Sequence, residues 1–398
     1  MDPVKLRAWW SSIQGLDGSL GTTAPALVLE RCGWSRSVGG VGPYLTLFAR
    51  AGTTRADADA AVASLSIHEL PSARGCTYVL PASDFAIGLR VGANFGQQEV
   101  KQALNFGVTE AEIAALRVAV LAALARGPLD PEGIRAATGN ASRSLGEAGK
   151  KKGLTTTLPI ALGLLQASGD IRRISSNGRF DQQRFRYALW KPNPLAKAKG
   201  DHADAMRAMA LRWFHSVAPA THAEFQAFSG LGKKACGEVL EPLRLVPVEV
   251  GSERLLLPDQ ADAWKEFKAP TKPHYSLVSS LDPITANRRD VAGLLDPADL
   301  ARHFPTAKSQ ASGGLMDLPN HAILDRGRIA GLWEFDPEAM ELVAVTFGVA
   351  DKPLRAAITR TESFVRDQLG DARSFSLDSP KSRAPKLAAL RALRGSSR

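Results

Sequence analysis

Asp170-Ile171-Arg172-Arg173-Ile174-Ser175-Ser176-Asn177-Gly178-Arg179-Phe180-Asp181-Gln182-Gln183-Arg184-Phe185-Arg186-Tyr187-Ala188-Leu189-Trp190-Lys191 is the stretch from which the architecture can be read. Ile171–Ser175 and Arg184–Trp190 each mix β-branched or aromatic residues with charged ones, as half-buried strands do. Asn177-Gly178 between them accepts positive φ, so the two runs read as a β-hairpin. Upstream, Thr155-Thr156-Thr157-Leu158-Pro159 opens a helix that reaches Ala167 and stops at Ser168-Gly169. A short helix near Pro131 to Thr138 and a long apolar-periodic one from Thr109 to about Arg126 precede it. Helices followed by a two-stranded wing are the winged-helix plan.

The same plan recurs on both sides. In the first unit, Thr22 or Thr23 can cap a helix that has Pro25 in its first turn and runs to about Trp34. Helices over Pro43–Arg50 and Arg55–Leu65 follow, then strands over Ser66–Leu70 and Gly75–Leu80 joined around Pro71-Ser72. In the third, helices over His202–His215, Thr221–Phe228 and Lys233–Leu240 precede strands Leu245–Val250 and Glu253–Leu257. After Pro270-Thr271-Lys272-Pro273, His321–Glu334 reads as strand, turn, strand, and Glu341–Phe347 as another strand. A helix from about Pro353 to Leu369 closes that part. The expected fold class is α+β: three tandem winged-helix domains followed by a small C-terminal β-domain. The expected boundaries are 1–100, 101–200 with the basic wing, 201–270, and 271–370 for the β-domain and closing helix, with a basic disordered tail over 371–398.

Charge is concentrated on this plan. The chain carries 50 Lys and Arg against 40 Asp and Glu, net +10. Asp170–Lys191 holds six basic residues against two acidic, and Asp371–Arg398 holds seven against two, so these segments account for nearly all the excess. Such a distribution favours a polyanionic partner. The wing arginines Arg172, Arg173, Arg179, Arg184 and Arg186 are candidate phosphate contacts, each able to make a charge-assisted bidentate bond. The blander reading is an edge strand that uses charge to prevent sheet aggregation. Lys150-Lys151-Lys152 and Arg288-Arg289 are further candidate DNA contacts.

Other function classes are excluded or left without a motif. With 44% hydrophobic and 23% charged residues, the composition is globular. Three dispersed cysteines fit a reducing compartment and no disulfide framework. No apolar run approaches the roughly 18 residues of a membrane span, and Met1-Asp2-Pro3-Val4 is no signal peptide. A cytoplasmic monomer that engages no membrane is expected. There is no Walker loop, GxSxG, HExxH or EF-hand, so neither cofactor nor metal is expected. Gly39-Gly40-Val41-Gly42 opens no dinucleotide-binding unit, and Trp9 and Trp10 read as core residues.

At Ala73-Arg74-Gly75-Cys76-Thr77-Tyr78-Val79-Leu80-Pro81-Ala82-Ser83-Asp84 the sequence resembles the first-wing segment of the AlkZ/YcaQ-like DNA glycosylase family, with Cys76 as an extra residue in the pattern. Ala218–Phe225, Leu281-Asp282-Pro283 with Arg288-Arg289, and Leu324-Asp325-Arg326-Gly327-Arg328 before Gly331-Leu332-Trp333 continue it in the family's order. The resemblance implies three winged helices and a β-domain around a cleft for double-stranded DNA. It implies hydrolysis of the N-glycosidic bond of N7-alkylated guanine, bulky adducts and crosslinks included. The alkylated base is already a cationic leaving group, so the chemistry asks for a positioned water and stabilisation of an oxocarbenium-like sugar. The family carries these on Gln-x-Gln or Gln-x-Asp shortly after a helix-ending glycine. With Gly33 as that glycine, the motif falls on Ser35-Arg36-Ser37, where both glutamines are replaced. Arg36 cannot be a general base; it and Ser37, with Arg74 of the first wing, read as DNA contacts. Glu30 lies a turn or two upstream, and Gln14 is the nearest glutamine. The alternative function is a non-catalytic winged-helix DNA-binding protein, a regulator or lesion binder.

Overall fold

The computed structural model describes residues 1–94, 97–181, 184–304 and 315–396; Gln182 and Gln183 of the hairpin and Ser397 and Arg398 of the expected tail lie outside them. Helix α1 (Pro3–Ile13) starts where the Asp2 carboxylate accepts the Val4 N–H at 2.9 Å. Helix α2 (Pro25–Cys32) starts on Pro25 with Ala24 at the cap. The expected threonine cap is not used, because the proline ring already sets φ for the first turn. Strand β1 (Ser35–Arg36), α3 (Gly42–Ala51), α4 (Arg55–Ala63), β2 (Ile67–Pro71) and β3 (Thr77–Pro81) follow, and the sheet order is β1-β3-β2. Helices α5 (Phe85–Gly92) and α6 (Gln97–Leu104) lead onward.

The second unit comprises α7 (Glu110–Leu124), α8 (Pro131–Thr138), α9 (Gly146–Lys150), α10 (Leu158–Ala167), β4 (Ile171–Ser175) and β5 (Phe185–Leu189). Strands β4 and β5 pair antiparallel from Ile171↔Leu189 to Ser175↔Phe185. Leu116, Val120, Ile134, Leu158, Leu165 and Ile171 form a separate small core beneath the hairpin. Each such side chain contributes about 1.5–3 kcal/mol on burial.

The third unit contains α11 (His202–Val217), α12 (His222–Ser229), α13 (Lys233–Leu240), β6 (Val246–Pro247), β7 (Leu255–Leu256) and α14 (Ala261–Glu266). Its hairpin is much shorter than the sequence suggests, with only Val246↔Leu256 and Pro247↔Leu255 in register. Pro247 has no N–H for the ladder, and beyond it a single bond, from the Val248 N–H to the Arg254 carbonyl at 3.0 Å, continues the pairing.

The C-terminal part holds β8 (Tyr275–Val278), α15 (Pro283–Ala286), α16 (Pro297–His303), β9 (His321–Asp325), β10 (Arg328–Asp336), β11 (Glu341–Thr346), α17 (Lys352–Phe364) and α18 (Pro380–Ser396). Its sheet runs β11-β10-β9-β8, so β8, which follows the Pro-Thr-Lys-Pro connection, is a strand that sequence reading missed. The expected disordered tail is also corrected. Residues 380–396 are helical, Leu387 and Leu390 are buried, and Arg383 bonds Asp371 at 2.8 and 3.0 Å.

Two larger cores join these parts. Trp9 and Trp10 are buried, as the sequence predicts, and their indoles donate to the Ala218 and Pro219 carbonyls at 3.0 and 3.2 Å. The second core packs Val28, Tyr44 and Val79 against Phe335 and Phe364 of the C-terminal part. Phe180 belongs to that core, so the tip of the β4–β5 hairpin is docked on the first unit. The Phe180 N–H donates to the Tyr44 phenol at 3.0 Å, with the rings 5.5 Å apart.

Candidate functional site

Gly33 ends α2 with φ of 84°, its N–H bonded to the Leu29 carbonyl at 2.9 Å. A Cβ there would stand 2.8 Å from Ser216 Oγ, so glycine is required for both conformation and space. The chain then enters β1, where Ser35 pairs with Val79, Arg36 with Tyr78, and the Ser37 N–H donates to the Thr77 carbonyl at 2.9 Å. Pleating therefore sends Ser35 and Ser37 to one face and Arg36 to the other.

Ser35 is fully buried, its hydroxyl 3.2 Å from Thr46 Oγ1, which in turn donates to Asp282 at 3.1 Å. Asp282 accepts Arg50 at 2.7 and 2.8 Å, and both side chains are completely buried. Gln14 takes two further Arg50 donors, at 2.8 and 3.0 Å. Leu281-Asp282-Pro283 thus supplies an anchor beneath the strand, and Gln14 is part of it. Burial beside this pair pushes the Cys32 thiol up to about 11, which leaves it an unreactive packing residue.

On the Arg36 face, the half-buried side chains of Arg36 and Arg74 flank Tyr78, whose phenol burial pushes up while both guanidiniums pull it down. Arg74 sits in the turn between β2 and β3 with φ of 55°. Nε of Arg36 and Nε and Nη2 of Arg74 are buried without a hydrogen-bond partner. Among the described residues, neither arginine meets a carboxylate. Guanidinium N–H groups without a carboxylate partner are donors suited in charge to an anion.

Beside the β2 edge of this sheet lies a cavity of about 490 Å³ between the first unit and the β4–β5 hairpin, lined by Asp59, His68, Glu69, Arg172, Arg173 and Phe180 among others. Ser35 and Glu69 both pair with Val79 of the central strand, from opposite sides. Burial raises the Glu69 carboxyl above the usual carboxylate range, while Arg173 and the Ser37 hydroxyl beside it pull the other way. Ser37 Oγ is buried and faces that carboxylate, with no other partner among the described residues. His68 is desolvated against Trp190, at 4.9 Å between rings, which pushes it down to about 3 and keeps it neutral. Glu30, the carboxylate nearest the motif in sequence, is instead exposed and accepts from Ser83 at 2.8 Å. Glu69 was missed because a single glutamate in a strand gives no motif; its place on the buried-face period with Ile67 was the available signal.

The other candidate DNA contacts divide. Lys150, Lys151, Lys152, Arg184 and Arg186 are exposed, although Lys150 bonds Glu147 at 2.6 Å. Arg172 is half-buried in the cavity wall, and Arg173 donates to Gln166 at 3.0 Å. Arg179 is turned inward to Asp181 at 2.7 Å and the Leu369 carbonyl at 3.1 Å. Arg288 is a correction. It is wholly buried, 3.6 Å above the Trp10 ring and 3.2 Å from Glu224, and burial pushes it down to about 10. It braces the core and cannot reach a phosphate. Arg289 is mostly buried and bonds Asp317 at 3.4 Å.

Among the described residues no group of three His, Cys, Asp or Glu side chains could hold a metal, and no helix is long and apolar enough to cross a membrane. Residues 41–372 match the family model for AlkZ-like DNA glycosylases. The chain belongs to the AlkZ-like DNA glycosylase family. The AlkZ-like chain is also similar in fold to the Streptomyces sahachiroi DNA glycosylase AlkZ, with a TM-score of 0.66 at 18% identity, over 93% of this chain and 97% of that one. No curated protein matches it in sequence.

Proposed function

We propose that this AlkZ-like protein is a DNA-repair glycosylase that binds double-stranded DNA through three winged-helix units and hydrolyses the N-glycosidic bond of N7-alkylated guanine. The observation that carries the reading is the pairing of two faces on one small sheet. One presents Arg36 and Arg74 uncompensated, suited to a backbone phosphate. The other carries Glu69, which Ser37 faces from β1 and which lines a cavity whose size falls in the roughly 300–1,000 Å³ range of ligand sites. The exposed Lys151, Lys152, Arg184 and Arg186 supply further phosphate contacts.

The second reading, a lesion-binding protein without excision, draws on the serines. The Ser35 hydroxyl is occupied by Thr46, and no serine beside an arginine activates water unaided. Incubation with duplex DNA containing N7-methylguanine and bulkier N7 adducts, with base release and binding both measured, separates the two. Release above the spontaneous rate together with salt-sensitive binding is expected. Binding without release leaves the lesion binder, and absence of binding overturns both.

A further inference from the structure

We propose that Glu69, its carboxylate fixed by Ser37, is the general base of base excision in this protein and so supplies from β2 what Ser35-Arg36-Ser37 lacks. The inference rests on the glycosylase reading above. Three observations carry it.

The first is register. Glu69 lies across Val79 from Ser35 and on the same pleat face as Ser35 and Ser37, so its carboxylate addresses the family's motif position from the far side of the central strand. The second is the Ser37 hydroxyl, which faces the Glu69 carboxylate from β1 and helps to hold it ionised; among the described residues it has no other partner. With Ser37 fixing the carboxylate from one side, its remaining lone pairs are left to accept a proton from water. The third is the cavity, which Glu69 lines together with Arg172 and Arg173. Asp59, the other carboxylate in its wall, is already held by the Tyr44 phenol at 2.5 Å and by Arg55 at 3.7 Å. Among the described residues Glu69 is answered only by Arg173 and Ser37.

The step balances. As the C1′–N9 bond of the cationic N7-alkylguanine nucleotide breaks, its electron pair neutralises the departing base. The water oxygen bonds to C1′, and its proton passes to the Glu69 carboxylate, leaving a neutral base, a C1′ hydroxyl and a neutral Glu69. Arg173 in the cavity wall favours the ionised carboxylate and so opposes part of the effect of burial.

The test is single-turnover release of N7-methylguanine from duplex DNA by wild type, Glu69→Gln and Glu30→Gln, with binding and thermal unfolding of each. Loss of a general base typically costs 10²–10⁴-fold, so at least ~100-fold loss is expected for Glu69→Gln. Its DNA affinity should stay within about threefold, and its Tm should equal or exceed that of wild type because a desolvated carboxylate is removed. Glu30→Gln should release base at the wild-type rate. The wild-type rate should fall at acid pH as Glu69 protonates, and Glu69→Gln should lose that limb. The other groups facing Glu69 are Arg172, Arg173 and Arg179 from the hairpin, Asp59 from α4, His68 from β2 and Ser37 from β1. A folded Glu69→Gln that releases base within threefold of wild type overturns the assignment and leaves the glycosylase reading standing. A wild-type protein that binds DNA but releases no base overturns both.

Discussion

At the scale of single residues, the site depends on positions that no other side chain can fill. Gly33→Ala forces a Cβ to 2.8 Å from Ser216 Oγ at φ of 84°. A left-handed non-glycine residue costs about 1–3 kcal/mol, and the clash adds to it, so a lowered Tm in thermal unfolding is expected. Base release should fall with it, because β1 begins two residues later. The Arg50–Asp282 pair makes a different prediction. Removing one partner of a fully buried ion pair strands the other and costs about 3–5 kcal/mol. Arg50→Met should therefore destabilise strongly in denaturant titration, and the double variant with Asp282→Leu should recover part of the loss. If the double variant is no better than the single one, the hydrogen bonds to Gln14 and Thr46 rather than charge pairing dominate the anchor. Gly33 was legible only through the family resemblance, since the apolar pattern alone carried the helix on to about Trp34, whereas the structure ends it at Cys32. Arg288 was misread, because two adjacent arginines look like a surface patch until Glu224 and Trp10 are found around one of them.

At the scale of elements, the alternating runs and Asn177-Gly178 located β4 and β5 almost to the residue, since period-two patterning is a local property. What the hairpin packs against was not local and was not legible. Phe180 at its tip is buried in the first unit's core and Arg179 is tied to Asp181 and Leu369. The tail was misread for a related reason. Its Ser, Ala, Pro and basic residues resemble a disordered segment, but Leu387 and Leu390 find a surface on the sheet, and Arg391 reaches Asp336 at 2.6 Å. β8 was missed because its strand-forming run is short and follows prolines. The docking has a measurable consequence. Phe180→Ala should release the hairpin tip, so amides of Ile171–Ser175 and Phe185–Leu189 should lose hydrogen-exchange protection while α1 and α11 keep theirs. Unchanged protection in the hairpin would show that its own ladder, not the docked phenylalanine, holds it.

At the scale of the whole molecule, net charge overstates what DNA can use. Several basic residues of the two charged segments are engaged internally: Arg179 by Asp181, Arg383 by Asp371, and Arg391 by Asp336 and Glu341. The cations left to a polyanion, among the described candidates, are Arg36, Arg74, Lys151, Lys152, Arg184 and Arg186. Each phosphate neutralised on duplex DNA contributes about −0.9 to the slope of log K against log salt. Full engagement of these side chains therefore gives a slope of about −5. Replacing Arg184 and Arg186 with Ala should reduce its magnitude by about two and weaken binding to all sequences alike, because phosphate contacts carry no base information. Arg391→Ala should leave the slope unchanged, since that guanidinium is held by the C-terminal sheet. A wild-type slope near −1, or a tail variant that lowers it as much as the hairpin variant does, would mean that DNA lies on a different face of the molecule from the one that carries Arg36.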